Sequence, residues 1–346
     1  MKYLAVLGRQ PEISIAELMA QDFPLEIARL GGVLKLAVKL EDKPLEYLQG
    51  LPEGKITVGV SDYSKKASRR TASEEALKLK KILVRHGRSV RVVENREAVL
   101  STATSLHNGL SGKNPRKVEL IKTDDGWYRV IGVQDIEAYG RRDQARPARD
   151  AKVGMLPPKL AQILINLCGP LKPGVTILDP FCGTGVVLQE ALLMGYRAYG
   201  TDISEKMVEY TEKNLKYFKF ENYKLEVGDA TSFQWNQPIG AVACEGYLGK
   251  PFSKIPTEME LKEQKQECGV IILGFLKNLG KQIKGGTPVV IAVPAWLREN
   301  GEYERLEIID KIAELGYNVD NKTREGLVYH RDDQVVARDI LILRKK

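Results

Sequence analysis

The residues of this chain whose types and spacing could do chemistry start at Ile177-Leu178-Asp179-Pro180-Phe181-Cys182-Gly183-Thr184-Gly185. An apolar run ends in Asp-Pro, a tight turn carries glycines at i and i+2, and a helical pattern follows from Val186. Glycines let a ligand approach the backbone, and an acid at a strand end can hold a cationic group. The string is neither G-x-G-x-x-G nor a Walker loop, because no Lys-Ser/Thr follows. A second acid, Asp202, ends the next strand-like run 23 residues later. That is near the offset at which an acid meets ribose hydroxyls in nucleotide-binding α/β folds. A third, Asp229, stands in Gly228-Asp229-Ala230 at the end of another run. Either of the last two alone would serve equally well as a helix N-cap. Three acids at successive strand ends describe a ligand site along one edge of a sheet.

The elements around these residues read as α/β. Val175–Pro180, Ala198–Ile203, Lys224–Gly228, Ile239–Glu245 and Pro288–Val293 are strand-like, with helices over Val186–Met194, from Ser204 to Phe218, over Thr257–Ile283 and over Tyr303–Leu315. Strands alternating with helices argue for an open, mostly parallel sheet with right-handed crossovers. Two late strands, Leu327–His330 and Val335–Leu343, add an antiparallel hairpin. The first half has another rhythm. Strands are expected at Lys2–Leu7, Val33–Leu40, Lys55–Val60 and Ser89–Val93, and a hairpin at Lys117–Lys122 and Trp127–Val133. Ser14 with Glu17 reads as a capping box for a helix over Ile15–Gln21, and Thr71 with Glu74 as one for a helix to His86. The organisation expected is an α+β region over 1–139, an Arg- and Pro-rich linker over 140–158, and a second domain over 159–346.

With 346 residues and 43% hydrophobic content, the chain has room for two packed cores. No apolar run is long enough to span a bilayer, and the start lacks a signal-peptide pattern, so the reading is cytoplasmic with no membrane partner. The four cysteines (168, 182, 244, 268) form no CxxC pair and lie far from the three histidines, so no metal site is expected. The net charge of +8 is unevenly placed: residues 1–150 carry 27 Lys+Arg against 20 Asp+Glu. Ser64–Arg91 holds ten of those basic residues against Glu74 and Glu75. Such a face is either the footprint of a polyanion binder or a solvated helix.

DPFCGTG, then Thr201-Asp202-Ile203, then Gly228-Asp229-Ala230 resembles the S-adenosylmethionine-binding half of a Rossmann-like methyltransferase. Arg142-Asp143-Gln144-Ala145-Arg146-Pro147 and Leu156-Pro157-Pro158-Lys159-Leu160-Ala161 resemble the segment ahead of that site in one branch, the THUMP-containing tRNA guanosine N2-methyltransferases of the archaeal and eukaryotic position-10 type. Leu7–Leu18 is similar to the opening of that family, and Tyr329–Asp339 to its C-terminal hairpin. The resemblance implies that Asp179 orients the amino-acid end of S-adenosylmethionine and that Gly183 and Gly185 let it pass, with Phe181 and Thr184 beside them. Asp202 would take the ribose hydroxyls next to Ile203, and Asp229 the adenine amine next to Ala230. It also implies a THUMP-like RNA-binding domain over about 51–139. There Lys65, Lys66, Arg69, Arg70, Lys113, Arg116 and Lys117 would hold tRNA or another structured RNA by its phosphates. Arg141, Arg142, Arg146 and Arg149 would line the route between the domains.

Enzymes that methylate exocyclic amines usually carry Asp/Asn-Pro-Pro-Tyr/Phe after the fourth strand. Here the register, 16 residues beyond Asp229, offers Glu245-Gly246-Tyr247-Leu248-Gly249. An exocyclic amine is conjugated with its ring and is a poor nucleophile. A carboxylate accepting one N–H and a backbone carbonyl accepting the other draw the nitrogen towards tetrahedral geometry and stabilise its developing charge. Glu245 would be the carboxylate and would also lie beside the cofactor, Gly246 would supply the carbonyl, and Tyr247 would stack on a flipped base. A nucleophilic Cys182 or Cys244 is the alternative route, through ring-carbon methylation. At the level of the whole protein the alternatives are a DNA amino-methyltransferase and a non-catalytic RNA-binding protein on the same fold. The resemblance leaves open a small activating protein subunit, which eukaryotic relatives use.

Overall fold

A computed structural model describes residues 2–22, 26–41, 43–149, 156–331 and 334–346. In chain order the first elements are β1 (Tyr3–Leu7), α1 (Pro11–Met19), β2 (Val33–Lys39), α2 (Pro44–Gln49), β3 (Ile56–Asp62), α3 (Arg69–Arg85), β4 (Val90–Val92), α4 (Thr102–His107), β5 (Lys117–Thr123), β6 (Gly126–Val133) and α5 (Ile136–Gln144). There follow α6 (Pro158–Leu167), β7 (Thr176–Asp179), α7 (Val186–Leu193), β8 (Arg197–Asp202), α8 (Glu205–Tyr217), β9 (Tyr223–Val227), β10 (Ala241–Glu245), α9 (Glu258–Leu279), β11 (Pro288–Leu297), β12 (Tyr303–Arg305), α10 (Ile309–Glu314), β13 (Tyr317–Val319), α11 (Asn321–Glu325), β14 (Val328–Tyr329) and β15 (Val336–Lys345). They group into two compact units. One is Met1–Arg9 with Glu26–Ala28 and Val33–Ala138; the other is Gln10–Leu25 with Arg29–Gly32 and Tyr139–Lys346.

The smaller unit is built on a mixed sheet in the order β1-β2-β6-β5-β3-β4, with β3 parallel to both β4 and β5. Helix α3 packs Ala76, Leu79 and Leu83 against Ile56, Val58 and Val60 of β3. Its N-terminus lies three residues earlier than the Thr71–Glu74 box implies. The Ser68 hydroxyl accepts the Thr71 N–H at 3.0 Å, and the Thr71 hydroxyl accepts the Ser68 N–H at 2.9 Å. Thr71 also donates to Asp62 at 2.6 Å, so its side chain is committed as N3 and is not the cap.

In the larger unit the sheet runs β13-β15-β11-β10-β7-β8-β9, with β12 beside β11 and β14 beside β15. Strands β9, β8, β7, β10 and β11 are parallel, and β15 is antiparallel to β11. Along β10, Val242 and Cys244 join a core with α9, while Ala241 and Ala243 join one with α6 and α7. Both faces are therefore covered, as a parallel sheet requires. The chain winds outward from β7 to β8 and β9, then returns to place β10 on the other side of β7. That reversal is a topological switch point.

Three expectations are corrected here. Pro11 starts α1 and Gln10 precedes it, so Ser14 and Glu17 lie inside the helix. The Ser14 hydroxyl donates to Gly32, and Glu17 accepts the N–H groups of Gly31 and Gly32 at 2.9 and 2.8 Å. The stretch Tyr303–Leu315 is not one helix. Tyr303–Arg305 pairs with Ala295–Leu297 as a hairpin, and only Ile309–Glu314 is helical. Nor is 140–158 a plain tether in its described residues: Gly140–Gln144 completes α5, Arg146 and Ala148 are buried, and Pro158 opens α6. Residues 150–155 of that segment lie outside the described residues, as do Asp332 and Asp333 of the closing hairpin.

Candidate active site

Asp179, Asp202 and Glu245 are the last residues of β7, β8 and β10, so parallel pairing brings all three to the same sheet edge. Asp179 is 2% exposed, and its Oδ1 accepts the Phe181 N–H at 3.1 Å. Burial pushes its carboxyl well above the ordinary carboxylate range. The Phe181 N–H pulls it back, and the carboxylates of Asp202 and Glu245 add to the rise. A cationic ligand would relieve this energetic penalty.

The turn between β7 and α7 is pinned from four sides. Asp202 accepts the Gly183 N–H on Oδ2 at 2.9 Å and the Ser204 N–H on Oδ1 at 2.9 Å. Ser204 therefore meets Asp202 through its backbone, and its own side chain caps nothing. Thr211 donates its hydroxyl proton to the Gly183 carbonyl at 2.8 Å. Asn214 donates to the carbonyls of Thr184 and Ala148 and accepts the Ala148 N–H. Arg146 reaches Thr184 Oγ1 at 3.2 Å. Gly185 has φ +84°, and a Cβ there would stand 2.7 Å from Thr211 Cγ2. Gly185→Ala should therefore cost roughly 1–3 kcal/mol. A calorimetric scan should show the melting temperature falling by several degrees.

Asp229 follows β9 and is exposed. Its Oδ1 accepts the N–H and hydroxyl of Thr231, both at 2.8 Å, and Ala230 beside it is buried. Ile203, next to Asp202, is 73% exposed, whereas Phe181 packs edge-on against Phe275 at a centroid distance of 5.3 Å.

Glu245 accepts a hydrogen bond from Arg338 Nε on Oε1 at 2.8 Å, and Gln334 holds the same guanidinium. Its Oε2 takes no hydrogen bond among the described residues. Gly246 donates its N–H to the Ala292 carbonyl at 2.8 Å, a bond that a proline at 246 would lose. Tyr247 packs against the α9 core and donates its hydroxyl to Glu267 at 2.9 Å; burial and that carboxylate push its phenol up to about 12. The Gln264 carbonyl accepts the Lys250 N–H at 2.7 Å. Helix α9 therefore anchors the loop that lacks both motif prolines. All four cysteines are free and buried, and burial pushes the thiols of Cys182 and Cys244 far up. Neither is suited to attack as a thiolate.

The basic residues divide by exposure. In the smaller unit Lys65, Lys66, Arg69, Arg70, Lys113, Arg116 and Lys117 are all exposed, as are Arg141 and Arg149 in the larger unit. Arg142 and Arg146 are not available in the same way. Arg142 pairs with buried Glu190 at 2.8 Å over the Tyr139 ring, and Arg146 is 3% exposed on the turn that holds Thr184. Arg146, Asn214, Arg338 and Gln264 carry positioning roles that no local motif announces. Among the described residues there is no group of side chains fit to hold a metal ion, and no helix long and apolar enough to cross a membrane.

Residues 171–284, which include the turn, Asp202, Asp229 and Glu245, match a methyltransferase-domain family model. The larger unit is a methyltransferase-type α/β fold. A DNA methylase family model matches residues 95–213. The chain is 32% identical over 157 residues to the tRNA (guanine(10)-N2)-dimethyltransferase of Methanothermobacter thermautotrophicus, covering 45% of this chain and 44% of that protein. It is 37% identical over 142 residues to the enzyme of the same name from Pyrococcus abyssi, covering 40% and 39%. The chain spans less than half the length of these curated relatives in the aligned stretches. Among solved structures, TrmN from Thermus thermophilus is 18% identical with a TM-score of 0.48, over 99% of both chains.

Proposed function

We propose that this chain transfers a methyl group from S-adenosylmethionine to N2 of a guanosine in tRNA. The observation that carries the reading is the set of Asp179, Asp202 and Glu245 at adjacent strand ends around the Gly183 turn, at the sheet's switch point. The relatives named above favour a tRNA guanine over other amine substrates. The residues fit the cofactor. Buried Asp179 suits a cationic amino-acid end. A Cβ at Gly183 would meet nothing nearer than 3.9 Å, so that face of the turn is open to a ligand. Asp202 keeps lone pairs beyond its two backbone bonds, and exposed Ile203 offers an apolar face to a flat ring.

S-adenosylmethionine, when bound, supplies an electrophilic methyl group. The chain's own contribution is to make a conjugated amine nucleophilic. Glu245 Oε2 accepts one N–H and the Gly246 carbonyl the other, which localises the nitrogen lone pair and stabilises the charge that forms there. Arg338 fixes the opposite carboxylate oxygen, so Glu245 presents one acceptor in one place. The surplus proton then leaves through Glu245 to solvent. Tyr247, clamped by Glu267, presents a rigid ring for base stacking. The exposed basic residues of the smaller unit, which we read as a THUMP-like domain, would hold the RNA by its phosphates in the cytoplasm. A small activating subunit remains part of this proposal only as a factor to add in the assay.

Purified protein with labelled S-adenosylmethionine and unmodified tRNA should yield N2-methylguanosine or its dimethyl form by nucleoside mass spectrometry. Label transferred only to adenine or cytosine of DNA would favour the amino-methyltransferase reading that the DNA methylase match supports. Cofactor binding without any product would favour a binding protein on this fold.

A further inference from the structure

Pro294 marks a gap in the pairing of β11. Proline cannot donate to a ladder, so within sheets it belongs on edge strands, at first residues or at bulges. Pro288 obeys this as the first residue of β11. Pro294 obeys it from inside a strand: it is buried in β11 at the gap where pairing with β10 has ended, at Ala292, and pairing with β12 has not begun, at Ala295. The register shows what its missing N–H would have bonded. Glu245 pairs with Ala292 in a parallel ladder, and the Gly246 N–H donates to the Ala292 carbonyl at 2.8 Å. In a parallel ladder a residue that donates to position j−1 receives from position j+1. Continued one step past its last pair, Glu245 with Ala292, the ladder would take its next donor from residue 294, with the Gly246 carbonyl as acceptor. Pro294 has no hydrogen to give, and no described group hydrogen-bonds that carbonyl. Across the other ladder Pro294 stands opposite Arg338, the partner of Glu245.

We propose that Pro294 is a positioning residue that keeps the Gly246 carbonyl out of the β10–β11 ladder, so that it can accept the target amine. This rests on the methyltransferase reading above. A vacancy in the ladder at this point does two things. It ends β10 at Glu245, so that the chain can turn into the 246–250 loop. It also leaves an unused backbone acceptor one residue from the carboxylate. Any other residue at 294 would donate to Gly246 and withdraw electron density from the oxygen on which the amine depends.

The test uses the full chain with S-adenosylmethionine and tRNA. Pro294→Ala introduces the missing N–H. The expected result is a fall in kcat of about tenfold or more, with the KM for tRNA and the Kd for the cofactor within about twofold and the melting temperature not lowered. The new amide at 294 should be protected from exchange, and the 13C-labelled Gly246 carbonyl resonance should move downfield. An ester linkage at 294, built from the α-hydroxy analogue of alanine, removes the N–H without restoring the ring and should recover most of the lost kcat. The inference is overturned if Pro294→Ala keeps the wild-type kcat, if the ester form is as slow as Pro294→Ala, or if the amide at 294 exchanges freely. A wild-type protein with no turnover on tRNA sinks the tRNA methyltransferase reading, and the exchange measurement still decides the ladder.

Discussion

Glu245→Gln should slow methyl transfer to the guanosine amine by about 10³-fold, roughly 4 kcal/mol of transition-state stabilisation. The substitution is nearly isosteric, and its remaining oxygen can still accept from Arg338 Nε. What changes is the other position, where a donor replaces the acceptor that the amine needs. The loss should therefore fall on the chemical step. Single-turnover transfer should show it, while calorimetry should find the cofactor Kd within about threefold of wild type. Equal loss in both measurements would make Glu245 a cofactor ligand only. Undiminished transfer would remove it from the mechanism.

Asp202→Asn should be nearly as damaging to cofactor binding as Asp202→Ala, on the order of 100-fold in Kd. Both carboxylate oxygens already accept backbone N–H groups, from Gly183 and from Ser204. An amide has one acceptor oxygen and a nitrogen that only donates, so one backbone N–H must face another donor across about 3 Å. Hydrogen bonds to a charged acceptor contribute roughly 1.5–3 kcal/mol each, and the glycine turn loses one of its supports together with the contact to the ribose. Calorimetric titration with S-adenosylmethionine measures the affinity. A thermal scan without cofactor should show a drop of a few degrees for both variants. An asparagine variant that binds as wild type would assign Asp202 to the fold alone.

The parts of this site that were legible in the sequence are those that one strand and its following turn can specify. The apolar run before Asp179, the glycines at 183 and 185, and the recurrence of acids at strand ends are local patterns, and the structure places Asp179, Asp202 and Glu245 at strand ends as those patterns predict. The supports were not legible because each bridges a long stretch of sequence. Arg338 reaches Glu245 across 93 residues, and Asn214 reaches Ala148 across 66. Arg142 and Arg146 read as phosphate contacts because charge alone does not reveal a buried partner such as Glu190 or Thr184. Cap placement failed for a different reason. Ser14 and Thr71 have the right side chains, but the helices are capped earlier, at Gln10 by four residues and at Ser68 by three. The vacancy at Pro294 is a case between the two: the proline is visible in the sequence, yet its meaning depends on the strand beside it.

Helix α1 has a consequence for how a gene of this kind can be recombined. The polypeptide enters the larger unit at Gln10, before it has built most of the smaller one, and leaves α1 there packed on α6, where Glu17 is bonded to Asn166 at 2.7 Å. A Cβ at Gly31 would collide with the Lys159 carbonyl at 2.1 Å, so the bend ahead of β2 is also fitted closely to α6. No single cut therefore separates the two units. A fragment that starts at α6 would lack the helix covering that face, leaving Asn166 and apolar surface to water. In such a chain the larger unit is not a cassette to be moved onto another module by end-to-end fusion. The two units are interleaved along the chain, and exchange between genes would have to respect every crossing between them at once.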